Sequence, residues 1–208
     1  MFDEKKCLIV QSDMSIIADV HSSAYEDARD EISKFAELYK SPEHIHIYNI
    51  TPISLWNAAS LGLNIEDIKE IFSKYCKYEV SPTLINQIKS YLSKYGIVQI
   101  NRVNGSLEND DLILTINDKY ALTELLNIKN ISKYLVKELE HNKFLINVKD
   151  RGSIKQNLID LGYPVEDKAG YTEGDRLELT KKRITNKGKE FKLRAYQKQA
   201  ADFFYCNG

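Results

Sequence analysis

The stretch at residues 51–59, Thr-Pro-Ile-Ser-Leu-Trp-Asn-Ala-Ala, begins with a helix N-cap residue and a proline that suits the first helical position. Two further helices follow, one after Asn64 and one after Ser81-Pro82, each with apolar side chains at helical spacing. Gly62 and Gly96 suit the ends of the first and third helices. The sequence therefore predicts three short helices in succession.

Two strands, 97–100 and 112–116, follow these helices and flank a loop that contains Asn104-Gly105. Three helices and then a β-hairpin are the order of a winged helix, an order that other small α+β domains also use. We therefore expect a winged-helix-like block at 51–110.

The residues before this block predict a small ββαβ unit at 1–50. Ser23 and Glu26 fit a capping box, and apolar side chains recur at helical spacing from there to Tyr39. Pro42 disfavours helix in the residue before it and so ends this segment. The expected strands are 7–11, 15–20 and 44–50.

The residues after the block predict a βαβαβ domain at 111–180, whose first helix is expected to break near Asn130. Residues 181–208 predict a basic linker and then a helical stub at 192–205. The fold class is therefore α+β. The expected strands of the βαβαβ domain are 111–116, 143–148 and 176–180, and its expected helices are 118–136 and 150–161.

Charge is distributed unevenly along the 208 residues, although the formal net charge is only −1. Residues 181–198 contain eight basic side chains and one acidic one, so the rest of the chain is acidic. No apolar run approaches the 18 residues of a membrane span, and the three cysteines form no disulfide or metal-binding pattern. We expect a soluble cytoplasmic protein with no membrane partner.

The stretch Leu193-Arg-Ala-Tyr-Gln197 resembles the Q-type adenine motif of superfamily 2 helicases. A glutamine amide offers a donor and an acceptor that complement the N6 amine and N7 of adenine, and an arginine plane stacks on a base. Arg194 and Gln197 are therefore the candidate nucleotide-binding residues. An amphipathic basic helix formed by chance is the alternative interpretation.

A phosphate-binding loop of the form G-x-x-x-x-G-K-[ST] is absent from the sequence. Its nearest approach, Gly188-Lys189, is followed by Glu190, and Arg183 occupies the position of the first glycine. We therefore expect no catalytic residues and no ATP hydrolysis by this chain alone. The chain ends about where such a loop would begin, and it is expected to be the front part of a longer enzyme.

Several stretches together resemble the N-terminal half of XPB-type DNA repair helicases in their bacterial form. The stretches are Ser-Pro-Glu-His-Ile-His at 41–46, Ile-Thr-Pro-Ile-Ser-Leu-Trp-Asn-Ala-Ala at 50–59, Leu-Gly-Tyr-Pro-Val-Glu-Asp at 161–167, and Ala-Gly-Tyr at 169–171. They occur in the family's order and are followed by the Q-type motif, so the resemblance covers essentially the whole chain.

This resemblance implies a parent enzyme that is an ATP-dependent 3′-to-5′ DNA helicase acting in nucleotide excision repair. It implies a damage-recognition-like domain at 111–180 and a helicase domain that begins within 181–208. ATP and Mg²⁺ are the cofactors implied for the parent, and none is expected for this chain alone. The implied partners are damaged or forked duplex DNA and a nuclease.

Two sets of basic residues are candidate nucleic-acid contacts. Lys89 and Lys94 lie on the third helix of the winged-helix-like block, where a helix-turn-helix unit places its groove-reading helix. Two lysines in an acidic block are a weak signal, however, and a protein-facing or solvated surface is the favoured alternative for this helix. The second set is Lys181, Lys182 and Arg183. This basic run has two interpretations: it holds a phosphate backbone, or it is only a solvated hinge between domains. The alternative function is a stand-alone protein-interaction module that does not bind nucleic acid.

Three other features favour structural roles. His44 and His46 are predicted to share one face of a strand. They are expected to be packed or hydrogen-bonded; a metal-binding pair is the alternative, but no Cys or carboxylate ligand accompanies them at a recognisable spacing. Trp56 follows a helix cap at core spacing, so we expect it in the core rather than as a stacking platform. The cysteines are expected to be small buried hydrophobes, and no metal site is predicted.

Overall fold

A computed structural model describes residues 6–103, 111–170, 184 and 187–207. The chain divides into two compact units, Met1–Tyr171 and Thr172–Gly208. Helices and two sheets alternate along the first unit, so the α+β class expected from the sequence is confirmed. In the described ranges no helix combines the length and the apolar character that crossing a membrane requires.

The first sheet is antiparallel and lies near the N-terminus. Its central strand pair joins Ser15 to Asn49 and Asp19 to Ile45. Its strands are β1 (Leu8–Val10), β2 (Ser15–Asp19), β3 (Glu37–Lys40) and β4 (Ile45–Asn49), in the spatial order β1-β2-β4-β3.

Four helices bury their apolar faces against this sheet in one hydrophobic cluster. Phe35 and Phe72 meet edge to face in this cluster, with ring centroids 5.6 Å apart. The helices are α1 (Tyr25–Ile32), α2 (Pro52–Ser60), α3 (Ile65–Tyr75) and α4 (Pro82–Leu92).

The helix starts after residue 50 agree with the sequence. Thr51 and Ser54 form a reciprocal capping box on α2, with Thr51 Oγ1 accepting from the Ser54 amide at 3.0 Å. Asn64 Oδ1 accepts from the Glu66 amide at 2.8 Å and caps α3. Gly62 has a φ of +88°, the left-handed conformation expected after a helix end.

Helix α1 differs from the prediction in both of its ends. It begins after Ala24 without a side-chain cap, so the capping box at Ser23 and Glu26 is wrong; the Tyr25 amide donates instead to the Ser22 carbonyl at 3.0 Å. It ends at Ile32, and the residues that follow turn into β3, an edge strand. Phe35 and Ala36 are still buried, which explains the helical spacing that continues past the real end.

The second sheet has five strands and its own hydrophobic cluster. Strands at 98–102 and 111–116 form the expected hairpin, with Val98 opposite Ile116. The strands are β5 (Val98–Arg102), β6 (Asp111–Ile116), β7 (Lys137–Glu140), β8 (Lys143–Asn147) and β9 (Val165–Asp167), in the order β7-β8-β6-β5-β9.

Three α-helices accompany this sheet in the part of the chain that the structure describes. The expected helix at 118–136 breaks earlier than Asn130, at Asn127 and Ile128, and it stops before β7. The helices are α5 (Lys119–Leu126), α6 (Lys129–Ser132) and α7 (Arg151–Asp160).

Strands β7 and β9 were not expected from the sequence. Strand β7 is an exposed edge with three charged side chains, and β9 has only three residues and pairs in parallel with β5. Such short strands carry little alternation, so partner strands rather than local pattern define them. The expected strand at 176–180 and the loop at Asn104-Gly105 lie outside the described residues.

The winged-helix order is present in sequence but is divided between two clusters in space. Helices α2, α3 and α4 pack with the first sheet, whereas the hairpin β5-β6 forms the centre of the second sheet. The three helices and the hairpin therefore bury their apolar residues in different cores.

The second unit contains one described helix, α8 (Ala195–Asn207). Before it, Ile184 and Glu190 form an antiparallel bridge around Gly188, whose φ is +74°. The side chains of residues 195–204 are all exposed, including Phe203 and Phe204.

Candidate nucleic-acid interface

The exposed face of helix α4 carries uncharged polar side chains and one lysine. Leu84 and Ile88 are buried in the first cluster, while Lys89 and its neighbours on the opposite face are exposed. This is the amphipathic arrangement of a surface helix, with the apolar stripe inward. The exposed side chains are Asn86, Gln87, Lys89 and Ser90.

Lys94 does not share that face, because it lies beyond the end of α4. Its Nζ lies 5.3 Å from the centroid of the Tyr163 ring. The Tyr163 hydroxyl donates to Glu124 Oε2 at 2.5 Å, and burial together with this carboxylate raises the pKa of Tyr163 to about 12. Lys94 thus connects the end of α4 to the second cluster, and it is less available to a ligand than Lys89.

A groove of about 630 Å³ lies between α3 and the start of α4. We call it the lysine groove, since its rim includes Lys6, Lys69 and Lys77. Sequence reasoning missed these residues because they are far apart in the chain. They meet because the Lys77 amide donates to the Leu8 carbonyl at 2.8 Å, which fastens the end of α3 to β1.

The Q-type motif forms the first turn of α8. The Arg194 amide donates to Gln197 Oε1 at 3.1 Å, so the glutamine side chain caps the start of its own helix. The Arg194 guanidinium lies 3.5 Å from the Tyr196 hydroxyl. The two predicted nucleotide-binding residues are therefore adjacent, and Gln197 has a structural role in addition to any contact with a base.

The cap bond does not use all the hydrogen-bonding groups of the Gln197 side chain. A carbonyl oxygen has two lone pairs, so the cap bond leaves Gln197 Oε1 with an acceptor position and its amide nitrogen with donors. Across 6–103, 111–170 and the described end of the chain, no three His, Cys, Asp or Glu side chains are arranged to hold a metal ion.

The Leu161–Asp167 stretch holds an ion cluster inside the first unit. Asp167, with a side chain 11% exposed, accepts two hydrogen bonds from Arg151, at 2.8 and 2.7 Å, and one from Lys155 Nζ at 2.9 Å. Burial opposes ionisation of Asp167, but these bonds outweigh it, and its pKa is lowered. Arg102 Nε donates to the Ala169 carbonyl and so ties the following residues to β5.

The remaining candidates have structural partners. His44 Nδ1 lies 2.8 Å from His21 Nε2, and His46 Nδ1 lies 2.5 Å from the Tyr25 hydroxyl, so both histidines are hydrogen-bonded. Trp56 is confirmed as a core residue: it is buried, and its indole N–H donates to the Tyr91 carbonyl at 3.1 Å.

Cys7 and Cys76 are buried, as expected for structural thiols. Burial raises the pKa of both, that of Cys76 to about 12, which suppresses the reactive thiolate. The predicted phosphate contacts Lys181, Lys182 and Arg183 lie outside the described residues.

Comparison with known proteins finds helicases. A family model described as "Helicase conserved C-terminal domain" matches residues 8–140. The chain is 34% identical over 203 residues to the DNA 3′-5′ helicase XPB of Mycobacterium tuberculosis, an alignment that covers 97% of this chain and 35% of that protein.

Two further relatives carry related names. The DNA 3′-5′ helicase XPB of Kineococcus radiotolerans is 32% identical over 97% of this chain and 34% of its own length. The general transcription and DNA repair factor IIH helicase/translocase subunit XPB/SSL2 of Saccharomyces cerevisiae is 38% identical over 44% of this chain. The chain spans about a third of the length of the two bacterial relatives.

Proposed function

We propose a DNA-directed role for this chain on the premise that it belongs to the helicase conserved C-terminal domain family and corresponds to the N-terminal region of XPB-type helicases. One observation carries the proposal: the similarity to a bacterial DNA 3′-5′ helicase extends over 97% of the chain. The proposed function is that of an accessory region of an ATP-dependent 3′-to-5′ helicase. It engages damaged or forked DNA and positions the motor.

The proposed division of labour follows from the residues. The first unit contains two buried hydrophobic clusters, and residues 181–198 carry eight basic side chains and one acidic one. Basic side chains hold phosphates without reading sequence, so they suit an element that places a motor on any DNA. Lys181, Lys182 and Arg183 are the proposed phosphate contacts, with Lys89 as a second point of contact.

Arg194 and Gln197 are proposed to contact adenine once a motor completes the site. Bound ATP, with Mg²⁺, supplies the energy for translocation in the parent enzyme. Gln197 presents its amide edge to the base, and the capping bond from Arg194 fixes the direction of that edge. Residues of this chain thus orient the base, and the chain alone is proposed to have no ATPase activity.

A salt titration of DNA binding tests the proposal. The whole chain is mixed with fluorescent forked and plain duplexes, and anisotropy is measured over a range of ionic strength. Each phosphate neutralised contributes about −0.9 to the slope of log K against log salt. Replacing Lys181, Lys182 and Arg183 by Ala is expected to weaken binding to both duplexes and to reduce that slope by roughly 3.

The control replaces three exposed lysines of the first unit, Lys34, Lys40 and Lys74, by Ala, which removes the same charge at other places. This control is expected to change the slope much less. Absence of DNA binding even at low salt contradicts the proposal and favours the protein-interaction module. Equal effects of the two triple variants would show that net charge alone matters.

A further inference from the structure

The lysine groove combines the size and the lining of a site that binds another molecule. Its volume of about 630 Å³ lies within the range of ligand-binding clefts, roughly 300–1,000 Å³. It opens between α3 and α4 and is continuous with the exposed face of α4 at Asn86. The sequence pattern did not single out this groove, and the DNA-directed role does not use it.

The centre of the groove is apolar. Phe72 and Cys76 form its buried base, and Val80 and Ile85 are partly exposed above them. Tyr78 stands at its edge with 68% of its surface exposed. Exposed tyrosine beside a partly covered aliphatic surface is typical of a protein-binding anchor point, because Tyr contributes a large contact area with few rotatable bonds.

The rim of the groove is basic in an acidic surrounding. Lys6, Lys69 and Lys77 line it, and Glu79 is its one acidic lining residue among those that the structure describes. In residues 6–103 as a whole, acidic side chains outnumber basic ones. The described lining of the groove therefore carries three positive charges and one negative charge, which favours a ligand with separate negative groups.

The lysines are available to a partner at small cost. Lys69 Nζ lies 2.9 Å from Glu66, and Lys77 Nζ lies 3.5 Å from Asp19, in pairs whose side chains are all at least one-third exposed to solvent. Exposed pairs of this kind contribute little stability, so carboxylates of a ligand can replace their internal partners.

The same carboxylates argue against a nucleic acid as the ligand. Asp19, Glu66 and Glu79 lie among the lysines, where they would repel a continuous run of phosphates. A peptide can place single carboxylates beside the lysines and an apolar side chain over the centre. Its charges need not be continuous.

We propose that the lysine groove binds an acidic peptide segment of a partner protein, anchored by one apolar or aromatic side chain over Val80 and Ile85. Lys6, Lys69 and Lys77 pair with the carboxylates of the segment, and Tyr78 packs on the anchor. This is recognition of a short segment in a groove, with apolar contact giving affinity and the lysines giving selection by charge.

The test uses an array of acidic peptides, each with a single Leu, Phe or Trp, presented to the whole folded chain. Peptides that bind are then labelled with fluorescein for titration in solution. We expect the pair Lys69→Gln with Lys77→Gln, and separately Tyr78→Ala, to weaken binding by about ten-fold each. Only the lysine pair is expected to flatten the salt dependence, because Tyr78→Ala removes no charge.

The matched control is Lys40→Gln with Lys74→Gln, which removes equal charge from exposed lysines outside the groove, and it is expected to leave peptide affinity unchanged. A thermal melt of each variant confirms folding. The proposal is overturned if no acidic peptide binds at low salt or if the control pair weakens binding as much as the groove pair. Displacement of the peptide by a DNA oligonucleotide that loses affinity with Lys69→Gln and Lys77→Gln also overturns it, since the groove would then be a nucleic-acid site.

Discussion

At the scale of single residues, Asp167 illustrates how one carboxylate organises a segment. It accepts hydrogen bonds from Arg151 and Lys155, which are four residues apart on one face of α7, and from the amide of Ala169 at 3.2 Å. One carboxylate thus fixes the end of β9 to a helix. Because Asp167 is nearly buried, its charge is weakly screened, and removing it leaves two cations together in a poorly solvated place.

We expect Asp167→Asn to lower the free energy of unfolding by about 3 kcal/mol at neutral pH, measured by urea denaturation. The pKa of Asp167 is lowered in the folded state, so its contribution is complete above the ordinary aspartate pKa of about 3.9. That contribution is lost as pH falls through the lowered pKa. The difference between wild type and variant should therefore be constant from about pH 5 to 7 and shrink in more acidic solution.

Asp160→Asn is the matched control, because Asp160 ends the same helix but is exposed. Its free energy of unfolding should stay within about 0.5 kcal/mol of wild type. If Asp167→Asn shows the same small change at every pH, the ion cluster does not hold the segment as described.

Gln197 combines a helix cap with a predicted adenine contact, and two variants separate these roles. Glutamate retains the carbonyl-type oxygen that accepts from the Arg194 amide but lacks the amide donors, whereas alanine lacks both. We expect Gln197→Ala to reduce the helix population of residues 195–198, at a cost of about 0.5–1 kcal/mol, and Gln197→Glu to preserve it. NMR Cα chemical shifts of the whole chain measure this population.

In a longer protein that carries the motor, both Gln197 variants should weaken ATP binding, by about 1–3 kcal/mol for the lost base contacts. An ATP affinity that follows helix population, low for alanine and normal for glutamate, would mean that the residue only caps the helix.

At the scale of elements, the first turn of α2 is hydrogen-bonded to the turn that follows α1. Ser54 Oγ donates to the Phe35 carbonyl at 2.7 Å, while its backbone amide is capped by Thr51. The buried side chain of Ser54 therefore connects the turn after α1 to the start of α2.

We expect Thr51→Ala to lower the free energy of unfolding by about 1 kcal/mol, because it leaves an amide at the start of α2 without its side-chain acceptor. Ser81→Ala is the matched control, since Ser81 precedes α4 at the same position but makes no side-chain cap bond. Its effect should stay within about 0.5 kcal/mol. The fluorescence of Trp56, the single tryptophan, follows unfolding of this cluster. Equal effects of the two variants would contradict the capping assignment.

Helix α8 and helix α7 are similar in length but differ in burial. Ile154 and Leu158 of α7 are fully buried, whereas all side chains of residues 195–204 are exposed. Packing of an apolar face provides most of a short helix's stability in water. We expect amide hydrogen exchange in α8 to be at least about 100-fold faster than in α7. Similar rates in the two helices would show that the apolar residues of α8 are covered in solution.

At the scale of the whole molecule, the sequence predicted those features whose signals are local. The caps at Thr51 and Asn64, the proline starts and the hairpin β5-β6 all depend on residues close together in the chain, and each is confirmed. The edge strands β3 and β7 pair with the next strand along the chain, but they were missed because all their side chains are exposed and show no buried face. The three-residue strand β9 was missed because only its pairing with the distant strand β5 defines it.

The candidate sites divide in the same way. Arg194 and Gln197 are three residues apart and were found from the motif, although the capping bond between them was not. The lysine groove joins Lys6 to Lys69 and Lys77 through the contact of β1 with the end of α3, and nothing in local spacing indicates it. The i, i+4 pair Arg151 and Lys155 was a local signal that could have indicated an acidic partner on α7's buried side.

The last prediction concerns the whole chain as an ATPase. Hydrolysis requires backbone amides and a lysine around the phosphates and carboxylates around Mg²⁺, and the sequence contains no G-x-x-x-x-G-K-[ST] loop to supply the first of these. Arg194 and Gln197 are proposed to contact only the base, which is remote from the bond that breaks. We therefore expect phosphate release by the purified chain to equal that of buffer, with or without forked DNA. The Gln197→Ala variant is the control for contamination. DNA-stimulated phosphate release that disappears in this variant would show that the chain itself hydrolyses ATP, and it would overturn the proposal. Phosphate release that persists unchanged in the variant belongs to a contaminant.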